Sequence, residues 1–253
     1  MKILVLGQEG DSTNIVVNRL KKEFGRVDVI IEDPVERKMF LKRRIKKLGL
    51  KKVIGQCLFI MFVEPCLRKS AESRIKKIIK EKKLDTSNTY IHEYSYKVKN
   101  VNSDECHNII QRIKPDLIVV NGTRIISEQT IKSVETIMIN MHLGITPKYR
   151  GVHGGYWALA MNDAENCGVT IHKVDAGIDT GNIIAQQVIP ISFEDNFCTY
   201  PYLQIAAGIE LEIEVIKKYE NNNIVFLNNN LPSRLWSHPT IFEYLKYRKK
   251  GVK

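Results

Sequence analysis

The sequence has no CxxC pair, and its five cysteines (Cys57, Cys66, Cys106, Cys167 and Cys198) are odd in number and scattered. Those absences argue against a disulfide framework and a zinc site of Cys/His spacing, and free thiols in a reducing compartment are expected. Long hydrophobic runs are missing too. The N-terminal apolar run is residues 3–6, shorter than a signal peptide requires, and a cytoplasmic protein is expected. The run at 57–63, bounded by Gln56 and Glu64, is too short to cross a bilayer. No internal repeat occurs, and 8 prolines with 15 glycines leave no ground for a low-complexity or disordered reading. Acidic residues are scarce in one stretch only. Residues 36–83 hold 17 Lys/Arg against Glu36, Glu64, Glu72 and Glu81, a net +13. The whole chain carries +11, so the remainder is slightly acidic and the basic excess belongs to one segment.

What is present alternates between strand-like and helix-like patterns. "KILVLG" reads as a strand, 11–24 as an amphipathic helix and "RVDVII" as a second strand. The basic segment, about 35–85, reads as two or three helices broken near Gly49 and Pro65, with 53–63 as core and the lysines as solvated faces. A strand is expected at 89–94, a helix ended by Pro115, then strands at 116–120 and 136–142 with a short helix from Ser127 between them. Residues 154–163 suit a helix, 168–174 and 182–191 strands, and 197–219 a long helix. This order predicts an α/β fold: an open, mostly parallel Rossmann-like sheet with helices on both faces, a basic helical insertion and a short C-terminal extension. The expected division is 1–195 for the catalytic domain and 196–253 for the helical extension. The turn "GQEGDSTN" does not complete G-x-G-x-x-G, so no dinucleotide is implied. Ser12, Thr13 and Asn14 are read as an ordinary helix start that a phosphate could also use.

The chemistry concentrates in "INMHLGITPKYRGVHGGYW" (139–157). Asn140 and His142 end an apolar strand two residues apart, which puts both on one face. A loop with Lys148, Tyr149, Arg150, Gly151 and His153 follows, and later "HKVDAGIDTGNIIAQ" carries Asp175 and Asp179 in a glycine-rich turn. Together these pieces resemble the formyltransferases that use 10-formyltetrahydrofolate, most closely bacterial sugar N-formyltransferases of surface-polysaccharide pathways. The resemblance covers about 90–190 well and the first 30 residues loosely. It implies a catalytic triad of Asn140, His142 and Asp179. In such a site the amide stabilises a developing oxyanion, the imidazole moves a proton and the carboxylate orients the ring.

The resemblance further implies that the folate docks on the main chain of Gly122, Thr123, Arg124, Ile125 and Ile126 and of Val174, Asp175, Ala176, Gly177 and Ile178. Lys148, Tyr149, Arg150, Gly151 and His153 would then meet the acceptor, with no metal required. His172 is read as a supporting contact, while His92, His107 and His238 have no constellation around them. Gly144 departs from the family, where many members carry serine, and bears on which amine is accepted. The expected partner is a nucleotide-linked amino sugar rather than nucleic acid. Contact of segment 36–83 with an acidic membrane surface, and pairing of two protomers, stay open. Glycinamide ribonucleotide and methionyl-tRNA are the alternative acceptors, and a silent binding module using the basic segment is the alternative of another class.

Overall fold

The structure, a computed structural model, describes all residues 1–253. Strand β1 (Ile3–Gly7) leads into α1 (Asp11–Phe24) and β2 (Val27–Glu32). The basic segment follows as α2 (Arg37–Leu48), α3 (Leu50–Leu58), a wider π-type turn (Phe59–Val63) and α4 (Glu64–Glu81). Next come α5 (Thr89–Tyr94), β3 (Ser95–Val98), α6 (Asp104–Ile113), β4 (Leu117–Asn121), α7 (Glu128–Lys132) and β5 (Ile137–His142). The remainder is β6 (Arg150–Gly151), α8 (Gly154–Ala160), β7 (Gly168–Lys173), β8 (Ile183–Val188), α9 (Tyr200–Glu220), β9 (Leu235–Trp236) and α10 (Ile241–Arg248).

Seven strands form one sheet in the order β3-β2-β1-β4-β5-β7-β8. The first five run parallel, and β7 and β8 are antiparallel additions at one edge. The central strands are buried on both faces, as their uninterrupted Val/Ile/Leu runs require. One face is covered by α1 and by Ile205, Ile209, Ile213 and Ile216 of α9, the other by α6 and Ile126. A second cluster is aromatic: Phe59 of the basic segment meets Phe197 and Tyr244, and Phe197 in turn meets Tyr156.

Three expectations are corrected. "TYIHEY" is helix α5, not a strand; Tyr90 and Tyr94 lie one turn apart with their rings 5.0 Å from each other, and the Tyr90 hydroxyl donates to the Val27 carbonyl. Pro65 does not break the basic segment: it sits in the first turn of α4, where no backbone N–H is needed, and the π-type turn before it keeps the chain helical from Leu50 to Glu81. Nor is the run 53–63 wholly core. Val53 and Phe59 are buried, but Ile54, Ile60, Met61 and Phe62 face outward. The buried side packs on the C-terminal α10.

Candidate active site

In a mostly parallel sheet, sites form beyond the carboxyl ends of the strands. Here a cavity of about 640 Å³ opens past the ends of β4 and β5. Asn140, His142 and Asp179 all line it, with His172 beside them.

The backbone fixes the two imidazoles. His142 Nε2 lies 2.7 Å from the Tyr149 carbonyl oxygen, which can only accept, so this nitrogen carries the hydrogen and Nδ1 presents a lone pair. That Nδ1 lies 3.4 Å from Asp179 Oδ2. His172 Nδ1 likewise donates to the Lys173 carbonyl at 2.9 Å, leaving Nε2 to accept from the Asn140 amide at 3.1 Å. Asp179 closes the ring of contacts, with Oδ1 at 3.6 Å from His172 Nε2 and Oδ2 accepting from the Gly151 N–H at 2.9 Å. Asp179 adopts φ 50°, a left-handed conformation that aims the carboxylate back into the cleft.

Burial pushes the His142 ring below its ordinary value, and the Asp179 charge only partly offsets this. For Asp179 burial acts in the opposite direction, but the His142 and His172 rings and the Gly151 N–H outweigh it and hold the carboxyl at about 2. At neutral pH the pair is therefore a neutral imidazole beside a carboxylate. It is arranged to accept a proton on Nδ1 and then stabilise the resulting cation.

Gly144, the departure noted in the sequence, has a steric reason. A Cβ there would lie 2.4 Å from the Tyr149 carbonyl oxygen and 2.8 Å from His142 Nε2. Serine does not fit while that hydrogen bond is kept. Gly144→Ser is expected to lower kcat about 10-fold or more by displacing the carbonyl that fixes the imidazole tautomer; steady-state kinetics beside a thermal melt check it.

One side of the cleft is lined by residues of the segments 122–126 and 174–178, the exposed Ile125 among them. Of the ten residues expected there, nine line the cavity and Ala176 does not. The Arg124 guanidinium is turned away from the opening toward Glu32, which is fully buried. That carboxylate accepts from the Arg124 N–H at 2.6 Å, from Arg124 Nε at 2.5 Å and from the Val101 N–H at 3.1 Å. Glu32 escaped the sequence reading; the only trace of it is an acid closing the apolar run "VDVII". Arg124→Ala is expected to cost about 2 kcal/mol of stability, because it takes the charged Nε–H donor from a buried carboxylate, which keeps its backbone donors, and frees the Asp33 and Lys99 carbonyls. It should also raise KM for the folate more than it lowers kcat, since the loop loosens while the triad stays.

The loop after β5 divides between the cavity and its support. Gly151 and His153 reach the cavity, but Lys148, Tyr149 and Arg150 do not line it. Lys148 Nζ pairs with Asp163 at 2.6 Å, and the Tyr149 hydroxyl donates to the same carboxylate. Arg150 donates to the Ile178 carbonyl at 3.1 Å. Tyr149 is drawn inward by the aromatic cluster, where its ring stacks on Trp236. Ser12 and Thr13 engage the Asn121 side chain instead of capping α1, and Ser12 reaches the cavity.

The far end of the cavity holds groups the sequence did not place together. Phe40 and Arg44 of α2 line it beside His153, Gln204 and His238. His153 Nε2 and His238 Nε2 are 2.8 Å apart, and Gln56 Oε1 accepts from Arg44 at 2.8 Å. Burial pushes His153 well below its ordinary value and His238 to about 4, with Arg44 adding to both effects, so the two rings share one proton-poor hydrogen bond.

Comparison with known proteins places this geometry in context. The family model described as Formyl transferase matches residues 65–201. A methionyl-tRNA formyltransferase of Koribacter versatilis (strain Ellin345) is 36% identical over 135 residues, 53% of this chain and 42% of that protein. The match thus spans less than half of that relative's length. Among solved structures, a sugar N-formyltransferase from Shewanella sp FDAARGOS_354 shares the fold with TM-score 0.59 at 14% identity, over 93% of this chain and 76% of that one. An N-formyltransferase from Helicobacter canadensis, crystallised with folinic acid and dTDP-3-aminofucose, matches with TM-score 0.59 at 20% identity over 93% and 70%.

Proposed function

The chain belongs to the formyl transferase family, and from that premise we propose that it moves a formyl group from 10-formyltetrahydrofolate to the primary amine of a nucleotide-linked amino-deoxysugar, in surface-polysaccharide synthesis. The catalytic unit of this reading is 1–195, with 196–253 as an extension that supplies His238 and Gln204 to the cleft. One observation carries it: an amide, an imidazole lone pair and a carboxylate from three chain segments meet in a single cavity.

The residues fit the folate. The cavity volume is in the range of small-molecule sites. The segments 122–126 and 174–178 line it, with Ile125 exposed among them, and their backbone N–H and C=O groups would meet the planar pterin edge. Bound there, the folate supplies an electrophilic formyl carbon. Asn140 gives one amide hydrogen to His172 and keeps the other for the formyl oxygen as that atom gains negative charge. His142 Nδ1 takes a proton from the amine as its nitrogen bonds to the formyl carbon. Asp179 stabilises the imidazolium formed, and His142 returns the proton to the folate nitrogen as the old C–N bond breaks. A formamide and tetrahydrofolate result.

The sugar reading is supported by the loop "GITPKYRGVHGG", which looks like that of the polysaccharide enzymes, and by the fold shared with structures bearing that name. Transfer to methionyl-tRNA is the second reading, favoured by the name of the curated relative and by the basic surface. Tetrahydrofolate release, measured against a panel of nucleotide-linked amino sugars, glycinamide ribonucleotide and methionyl-tRNA, decides between them. Release with a sugar nucleotide alone is the expected result. Release only with tRNA would replace the acceptor, and release with none would favour a silent domain.

A further inference from the structure

Helix α2 has no buried residue, although it carries Met39, Phe40, Leu41, Ile45 and Leu48. A helix with that much apolar surface and nothing packed over it is unusual in a water-exposed fold. Leu41, Ile45 and Leu48 are spaced four and three residues apart, so they form one stripe, with Lys38, Lys42 and Lys46 on its flank. The next turns continue the pattern. Leu50, Ile54 and Met61 fall on one side, joined by Phe62, and these four are 50–64% exposed. The opposite side of α3, carrying Val53, Gln56 and then Phe59, is the one that packs inward.

The charge around this surface is of one sign and unneutralised. Nine Lys/Arg lie between residues 37 and 52 with no acid among them, and none has a carboxylate within 4.0 Å. In α4, by contrast, four of the six basic residues, Arg68, Arg74, Lys76 and Lys77, have an acidic partner. Unpaired cations around an exposed apolar stripe complement a surface that is anionic at its rim and apolar beneath. No helix is long and apolar enough to cross a membrane, so the stripe suits lying in an interface.

We propose that the face formed by α2, α3 and the turn 59–63 docks on an anionic lipid bilayer, apolar side chains seated among the acyl chains and the exposed flanking lysines Lys38, Lys42 and Lys46 among the headgroups. RNA would satisfy the cations but not the stripe of Leu50, Ile54 and Met61, and a second copy of this basic face would repel the first. Because Phe40 and Arg44 also line the catalytic cavity, docking brings its mouth to the membrane surface. The proposal does not depend on which amine accepts the formyl group.

The test is sedimentation of the full chain, without folate or acceptor, with vesicles of mixed phosphatidylglycerol and phosphatidylcholine or of phosphatidylcholine alone. Binding to the anionic vesicles only is expected. The combined Leu50→Ser, Ile54→Ser, Met61→Ser and Phe62→Ser variant should weaken it by about tenfold or more, with an unchanged melting temperature. Met61→Trp, placed in the otherwise native chain, gives an independent reading. Trp157 and Trp236 are buried, so a shift of emission to shorter wavelength on adding vesicles reports the new side chain entering lipid. Failure to sediment, sedimentation that the four serines leave unchanged, or an absent emission shift overturns the proposal. So does tighter binding to an unrelated RNA at equal phosphate, or self-association through this face without vesicle binding.

Discussion

His142→Ala lowers kcat by about 10²–10⁴-fold, the usual range for loss of a positioned proton acceptor, while the thermal midpoint moves little. The ring makes one hydrogen bond to the Tyr149 carbonyl and one contact to Asp179, and the strand around it is held by the β4 and β7 ladders. Turnover near that of the unsubstituted chain would remove His142 from the mechanism. The pH profile gives a sharper reading. If neutral His142 is the base, kcat/KM falls on the acid side as the ring protonates. Burial puts that fall below the ordinary histidine value near 6.5, with Asp179 pulling it partly back up. Asp179→Asn is expected to cost about 10² or more in kcat and to move the acid limb of the residual activity to lower pH, since the cause that raised the ring's affinity is gone. Were Asp179 only a turn former, the activity would drop with the limb unmoved.

How much of this was visible in the residue order depends on how local the determinant is. Buried parallel strands announce themselves as short apolar runs, and the runs of β1, β2, β4 and β5 end within a residue of the observed strand limits. Asn140 and His142 share a face by strand periodicity alone. Asp179, dozens of residues away, was assigned by resemblance, because no local pattern tells a chain which turn will fold back on which strand. "TYIHEY" has a strand's aromatic and β-branched content, but Ile91 is buried and Tyr90 half-buried against α1 and β2, positions that only the assembled sheet offers. The same reason hid the far end of the cavity. His238 and Arg44 have nothing near them in sequence, and they meet because the basic segment packs on the C-terminal helix α10.

Stability that declines from mildly acidic to mildly alkaline pH is the second large effect, and its source is Glu212. This residue lies in the middle of α9, one turn after Gly208 and between Ile209 and Ile213, which face the sheet. Its side chain is fully buried and neither carboxylate oxygen has a hydrogen-bond partner. Burial, with no charged neighbour contributing, pushes the carboxyl from 4.5 up to about 8. The folded chain therefore keeps a proton that the unfolded chain has already lost between those two values. Stability falls as pH rises through that window and levels off above about 8. One proton corresponds to about 1.4 kcal/mol per pH unit, and the slope halves as pH reaches 8, so the loss between pH 6 and 8 is about 2 kcal/mol. The buried histidines act with the opposite sign and mostly at lower pH, because their rings are depressed and favour the folded state as they deprotonate. The interval from 6.5 to 8 thus isolates the glutamate. Glu212→Gln should flatten the chemical-denaturation profile there, and Glu212→Met should exceed the unsubstituted chain at pH 8, since it removes a charge that burial makes costly. An unsubstituted chain whose stability stays level from 6.5 to 8 would mean that water or a rearranged partner reaches this carboxylate.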